Sequence, residues 1–278
     1  MVLCNHEGNY EKAAEHYRYC EQYAASVPLN EYLQLRNQYS VTLLDRQEFA
    51  QALENTQKTL QLAKFTDDLL GQIMEKPSVM SIDRGRTQSQ LGQCLAFLGR
   101  HQEADQAFLI AEEAFSNSPE DLQITRSYRL HNYIEAKDRK GYDALAQAYF
   151  GAKDLAKQFE TGLDRNDTSA AYALLVWLKG WYTFPPSNIY TRHAEQILEQ
   201  VLARIPHQGG HPWELVWKYA VLLARKYKVK KINVETAARE RLQAMCDSSS
   251  GLLHQICEEC LQSCLTGKEV SELPYMYH

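Results

Sequence analysis

The chain has 278 residues, with 30 lysines and arginines against 35 aspartates and glutamates, so its formal net charge is −5. Glycine and proline, at 13 and 8 residues, are too few for a collagenous or disordered chain. No apolar run approaches the roughly 18 residues that a membrane-spanning helix requires, so we expect no membrane partner.

The seven cysteines are odd in number, and no charged and then apolar signal segment precedes them. We therefore expect reduced thiols in a cytoplasmic protein. The length fits two ordinary domains or one elongated array of repeats. The net charge of −5 gives no global attraction for nucleic acid, although it allows a local basic patch.

Apolar residues recur at spacings of three and four along most of the chain, and alternating strand patterns are essentially absent. The first stripe begins at Tyr10 and predicts a helix to about Ser26. Later patterns predict a lengthened helix end and loop over 67–81 and helices at 170–182, 190–205, 213–227, 234–246 and 252–265. The sequence therefore predicts an all-α protein.

One pattern of glycine, aromatic and small residues recurs four times within residues 1–152. The first copy consists of Gly8, Tyr10, Ala13, Tyr17 and Cys20. The fullest copy has His101 where an aromatic is usual and otherwise consists of Leu91, Gly92, Leu95, Gly99, Ala104, Phe108 and Ala111. Two weaker copies consist of Ser40, Phe49, Ala52, Thr56 and Thr59, and of Tyr142, Leu145, Tyr149 and Ala152. The pattern resembles the tetratricopeptide repeat.

The resemblance implies a right-handed α-α superhelical solenoid of about six helical hairpins. Small residues such as Gly92 let two antiparallel helices approach closely, and bulky ones such as Phe108 fill the gap to the next hairpin. Residues 1–152 are predicted to be repeats, the first of which lacks most of its first helix. Residues 153–278 are predicted to continue this array as degenerate hairpins with a closing helix and a tail.

The resemblance also implies a concave groove, lined by the first helix of each hairpin, that binds a protein or a peptide. The register places on the inner side Gln34, Asn37, Val41, Arg86, Ser89, Gln93 and Phe97. In the fourth repeat it continues with Ser127, Leu130 and Ile134, and near the rim with Arg126 and His131. This mixture suits a peptide backbone or a carboxylate, and a solvated polar face is the alternative.

A basic patch lies between residues 225 and 241. It places five cations in seven residues, namely Arg225, Lys226, Lys228, Lys230 and Lys231. The patch could bind phosphate or an acidic partner, and a solvated helix end is the alternative. We do not favour nucleic acid, because the rest of the chain lacks the basic and aromatic interleaving of such surfaces.

Two further groups of residues resemble sites. One string on a single predicted helix contains His254, Cys257, Cys260 and Cys264, but structural zinc usually gathers its ligands from two elements. We expect these thiols to pack in the core, with no metal and no cofactor. The four tryptophans, Trp177, Trp181, Trp213 and Trp217, could form a recognition pocket or a core between two hairpins.

No motif supports catalysis, because the sequence contains no glycine-rich phosphate loop, nucleophile elbow or His-Glu-x-x-His helix. We therefore expect a non-catalytic module that binds a protein or peptide. Since the first repeat is incomplete, we expect this module to be the C-terminal recognition part of a larger cytoplasmic protein. One alternative is a regulatory sensor that changes conformation on binding a signal peptide or foreign protein, and another is nucleic-acid or phosphate binding through the basic patch.

Overall fold

The structure is a computed structural model. It describes residues 4, 9–74, 81–150, 161–162, 164–165, 167–184, 198, 201, 220–221, 240, 242–244, 246–247 and 251–266. Helices and their connecting turns make up these residues, among which there is no β-strand. The all-α prediction is confirmed for this part of the chain, and the right-handed solenoid stays a prediction. No helix within these ranges is long and apolar enough to cross a bilayer.

The chain divides into two compact units after Ala136. The described helices of the first unit are α1 (Tyr10–Glu21), α2 (Leu29–Asp45), α3 (Phe49–Met74), α4 (Ser81–Phe97), α5 (His101–Ala114) and α6 (Pro119–Glu135). Those of the second unit are α7 (Arg139–Phe150), α8 (Thr168–Thr183) and α9 (Gly251–Thr266). The boundary predicted after residue 152 is a different one, because it marks where the repeat pattern becomes degenerate. That boundary stays a prediction.

Three of the described helices begin at residues that are typical of helix starts. The Asn9 side chain accepts a hydrogen bond from the backbone N–H of Lys12 at the start of α1. Asp167 Oδ1 does the same for two backbone N–H groups at the start of α8, and Pro119 occupies the first position of α6. Such residues satisfy or remove amide groups that have no partner inside the helix.

One turn geometry recurs after α2, α4 and α6. The second residue beyond each of these helices has a positive φ, which is 60° at Gln47, 74° at Gly99 and 54° at Lys137. After α2 and α4, the following amide donates to a carbonyl five residues back, as in a Schellman motif; an example is Arg100 N to Leu95 O at 2.8 Å. Counting from this turn residue aligns α2, α4 and α6 position by position.

The first unit consists of helices stacked in chain order. Each of α1 to α5 contacts the next helix in the chain, and α2 also contacts α4, which contacts α6. The close approach of α4 and α5 depends on Gly92, where a Cβ atom would lie within 3 Å of the Phe108 ring. The predicted role of Gly92 is therefore confirmed. Phe108 packs here within its own hairpin, and its predicted contact with the next hairpin stays a prediction.

In the second unit, α8 is buried along its length from Ser169 to Tyr182. Tyr142 of α7 packs onto Gly180 of α8 and donates a hydrogen bond to the backbone oxygen of Val176 at 3.5 Å. The helices predicted at 170–182 and 252–265 are confirmed as α8 and α9. The other three helices predicted in the second half lie largely outside the described residues.

Candidate binding surface

The helices α2, α4 and α6 are joined by a hydrogen bond that repeats at equivalent positions. Thr87 Oγ1 of α4 donates to Asn37 Oδ1 of α2 at 3.0 Å. Thr125 Oγ1 of α6 donates to Ser89 Oγ of α4 at 3.5 Å. Counted from the shared turn, the two threonines are equivalent, and so are Asn37 and Ser89. The chain therefore joins α2 to α4 and α4 to α6 through equivalent positions.

The predicted groove residues fall into rows across the three helices. One row is buried and consists of Asn37, Ser89 and Ser127; a second buried row consists of Val41, Gln93 and His131. Leu130 and Ile134 are also buried. These side chains lie within the helix layer, so in this conformation a partner would not reach them. The role of these residues as partner contacts stays a prediction.

Four predicted groove residues reach the surface. Gln34 and Arg86 are exposed and occupy equivalent positions on α2 and α4, whereas Phe97 and Arg126 are half-buried. The Phe97 ring stacks on Phe49, with centroids 4.6 Å apart. Gln34 and Arg86 therefore form the accessible part of the predicted groove.

Both predicted groove arginines already face carboxylates of the chain. Arg86 Nε lies 3.5 Å from Asp121 Oδ1 of α6, and Arg126 Nε lies 3.6 Å from Glu112 Oε2 of α5. The Arg86 pair is partly solvent-exposed, so it contributes little to stability and can exchange partners cheaply. A carboxylate on a partner would therefore compete with Asp121 for Arg86.

A buried polar network, centred on Arg36, was not predicted from the sequence. The Arg36 guanidinium donates to Asn55 Oδ1 at 2.7 Å, to Thr59 Oγ1 at 3.1 Å and to the Tyr32 hydroxyl at 3.1 Å. It also contacts α1 through the Tyr17 hydroxyl at 3.4 Å. The Arg36 network comprises these residues together with Glu21, Ser40 and Thr56. The sequence feature that could have indicated this network is the group of polar residues Asn55, Thr56 and Thr59 on one helix.

The strongly shifted titratable groups in the first unit all favour their neutral forms. Burial raises the pKa of the Cys94 thiol to about 12 and holds the pKa of Asp45 well above its usual range. Burial likewise raises the pKa values of Tyr10 and Tyr17. A thiol with a raised pKa is a poor nucleophile, so Cys94 is a packing residue in this arrangement.

Comparison with protein-family models, with curated proteins and with solved structures gives no match. The functional argument therefore depends on the geometry of the described residues.

The remaining sequence candidates lie in the second half. Trp177 and Trp181 are buried, with ring centroids 5.7 Å apart, while Trp213 and Trp217 lie outside the described residues. The basic patch, with Arg225, Lys226, Lys228, Lys230 and Lys231, also lies outside them.

The metal-like string lies on the single helix α9, as expected. His254 Nδ1 is 2.9 Å from the backbone oxygen of Cys246, and Cys257 and Cys260 are buried. The Cys264 side chain lies outside the described structure. Within the part of the chain that the structure describes, no three histidine, cysteine or acidic side chains are grouped to hold a metal ion.

Proposed function

We propose that this chain is a non-catalytic binding protein that recognises another protein or a peptide through the layer formed by α2, α4 and α6. The observation that supports this most is the repeated hydrogen bond, Thr87 to Asn37 and Thr125 to Ser89, between successive first helices. Helical hairpins stacked in register present neighbouring helices on one side, and repeat proteins bind partners on such surfaces. The tetratricopeptide resemblance supports the same reading.

The proposed contact residues are Gln34 and Arg86. They are exposed, they occupy equivalent positions on neighbouring helices, and they supply an amide and a guanidinium. These groups suit the carbonyl and carboxylate oxygens of a peptide. The buried rows beneath them fix the spacing of the helices, so this surface is organised before a partner arrives, which lowers the entropic cost of binding.

The test is affinity purification of the full chain from a lysate of its source, with three proteins compared. The parent and the double variant Gln34→Ala/Arg86→Ala differ only on the proposed surface. The control is Gln57→Ala/Lys58→Ala, which removes one exposed amide and one exposed cation from α3. Protein, peptide and nucleic acid in each eluate are identified by mass spectrometry and nucleic-acid staining.

A protein or peptide that the parent and the control retain, and that the Gln34→Ala/Arg86→Ala variant loses while still folded, supports the proposal. The identified partner is then titrated calorimetrically, and we expect the double variant to weaken its affinity by about tenfold or more. Equal retention by all three proteins contradicts the proposed surface. Recovery of nucleic acid alone contradicts the proposed function and favours the basic patch. The regulatory-sensor alternative stays a prediction.

A further inference from the structure

The two hairpins α2/α3 and α4/α5 have chemically different interiors at equivalent positions. In α4/α5, the Phe108 ring packs onto Gly92. In α2/α3, the equivalent residues are Thr56 and Ser40, whose hydroxyl oxygens lie 2.9 Å apart. Where α4/α5 has Ala107 and Ala111, α2/α3 has the polar pair Asn55 and Thr59. At these equivalent positions, one hairpin is therefore closed by apolar packing and the other by hydrogen bonds.

Arg36 connects this polar interior to α1. Its Nη1 atom donates to the Tyr17 hydroxyl of α1, and its Nη2 and Nε atoms donate to Asn55 and Thr59 of α3. Asn55 Nδ2 in turn donates to the backbone oxygen of Arg36 at 2.9 Å and to Ser40 Oγ at 2.8 Å. The three helices α1, α2 and α3 therefore share one set of hydrogen bonds, and separating α2 from either of the other two breaks several of these bonds at once.

The two interiors respond differently to water. Opening α4/α5 would expose the fully buried Phe108 and Phe115, and hydration of such rings is unfavourable. Opening α2/α3 exposes hydroxyl, amide and guanidinium groups, which water can bind in place of their protein partners. Burial of Arg36 also requires desolvation of a charge, and opening reverses this cost. Opening α2/α3 also exposes the fully buried Leu33 and Leu43, so the comparison concerns the equivalent positions. At these positions the free energy of opening is lower for α2/α3.

We infer that α1, α2 and α3 form a labile module that opens by unfolding as one unit, which breaks the Arg36 network, while α4 and α5 stay folded. The module is held to α4 by the hydrogen bond from Thr87 to Asn37 and by an apolar contact. In this apolar contact, Phe97 stacks on Phe49, and Cys94 packs against Leu43, Leu44 and Ala52. This contact favours the closed state, and the Arg36 network makes the module open and close cooperatively. The inference does not depend on the proposed binding function.

Cys94 of α4 is a built-in probe of this opening. It is fully buried, and its Sγ atom lies 3.9 Å from Thr56 Oγ1 of α3. While the module is closed, burial and the raised pKa of about 12 protect the thiol from alkylation. When α3 moves away, the thiol becomes accessible, so its labelling rate follows the population of the open state.

The experiment labels the full chain with N-ethylmaleimide in native buffer and follows the Cys94 peptide by mass spectrometry. The matched position is Ala107, which is buried inside α4/α5 and equivalent to Asn55. In the variant Ala107→Cys, we expect Cys94 to react about tenfold or more faster than the introduced thiol. Equal rates at the two positions would overturn the inference, because they would mean that both hairpins open together.

A second comparison uses two buried asparagines. Asn55→Ala removes bonds within the Arg36 network, whereas Asn132→Ala removes bonds from His101 to α6, namely His101 Nδ1 to Asn132 Oδ1 at 2.9 Å and Asn132 Nδ2 to His101 O at 3.0 Å. We expect Asn55→Ala to accelerate Cys94 labelling severalfold and Asn132→Ala to leave it unchanged. Equal effects, or no effect of Asn55→Ala, would overturn the role of the network. If Asn55→Ala does not fold, the comparison of the labelling rates of Cys94 and the thiol introduced at position 107 tests the inference.

Discussion

A Cβ atom built on Gly92 of α4 would lie 2.6 Å from Cε1 of Phe108 on α5. Real Cβ atoms do not approach another carbon this closely, so the ring occupies the space that a side chain on Gly92 would need. The absence of a side chain at one residue therefore sets the separation of two helices.

Substitution of this glycine tests the close approach directly. We expect Gly92→Ala to lower the free energy of unfolding by about 1 to 3 kcal/mol, because the added methyl must displace the Phe108 ring. Urea unfolding followed by circular dichroism measures the change. In the Phe108→Leu background the smaller side chain relieves the clash, so the double variant should lose less than the sum of the two single changes. Additive losses would contradict direct contact between these residues.

Substitution of a buried residue of the predicted groove should lower stability more than substitution of an exposed one. Asn37→Ala removes the buried hydrogen bond that Thr87 donates to α2, so we expect a loss of about 0.5 to 1.5 kcal/mol. Gln34→Ala, three residues earlier on the exposed side of the same helix, should change stability by less than about 0.5 kcal/mol. Thermal and urea unfolding of the two variants provide the comparison. A large loss for Gln34→Ala would mean that its side chain holds the fold.

The buried carboxyl of Asp45 predicts a dependence of stability on pH. Burial at the end of α2 raises its folded pKa well above the ordinary value of about 3.9. Between these two values the folded state binds more protons than the unfolded state, so this residue lowers the free energy of unfolding as the pH rises. We expect the parent to lose stability relative to Asp45→Asn from about pH 4 upward, until the folded pKa is passed.

Urea unfolding of both proteins over a series of pH values measures this difference. The residue-specific contribution is the parent curve minus the Asp45→Asn curve, in which the other titrating groups cancel. A parent that gains stability relative to the variant with rising pH would show that Asp45 is ionised in the folded protein.

The α5–α6 interface contains an arginine that lysine should not replace. Arg129 binds Asp105 through Nε at 2.7 Å and through Nη2 at 3.3 Å, and its Nη1 atom lies 3.2 Å from Glu112 Oε1. Because an ammonium group cannot bridge both carboxylates in this planar arrangement, we expect Arg129→Lys to destabilise the protein by about 1 to 3 kcal/mol.

Arg100 supplies the matched control for this substitution. It also binds one carboxylate through two nitrogen atoms, at 2.8 Å and 2.6 Å from Glu103, but this pair is exposed to solvent. Arg100→Lys should therefore leave the urea midpoint unchanged within error. Similar losses for the two lysine variants would show that burial does not decide the strength of these pairs.

Much of the local helical structure followed from residue spacing alone. The pattern from Leu91 to Ala111 predicted the close approach at Gly92, because this contact joins two consecutive helices. It assigned Phe108 to the gap between hairpins, whereas the ring packs onto Gly92 within its own hairpin. The position of His101 shows where such patterns stop. It stands where the repeat has an aromatic, and the structure explains it through exchanged hydrogen bonds with Asn132, which lies far away in sequence.

The exposure of the groove residues could not be predicted in the same way. A helix register assigns residues to faces, but burial depends on how closely the neighbouring helices pack. Asn37 lies on the predicted inner side, and yet it accepts a hydrogen bond from Thr87 of the adjacent helix and is covered. The Arg36 network was missed for a related reason, because its residues come from three helices and no local spacing links them.

The turn shared by the hairpins also offers a route to a more heat-resistant protein. Of the three residues with positive φ in these turns, only Gly99 adopts that backbone conformation without steric cost. At Gln47 the Cβ atom crowds the backbone, and the left-handed conformation costs about 1 kcal/mol. A glycine there would keep the turn and touch no packed side chain, so protein engineering can begin at position 47 without disturbing either the core or the exposed Gln34 and Arg86.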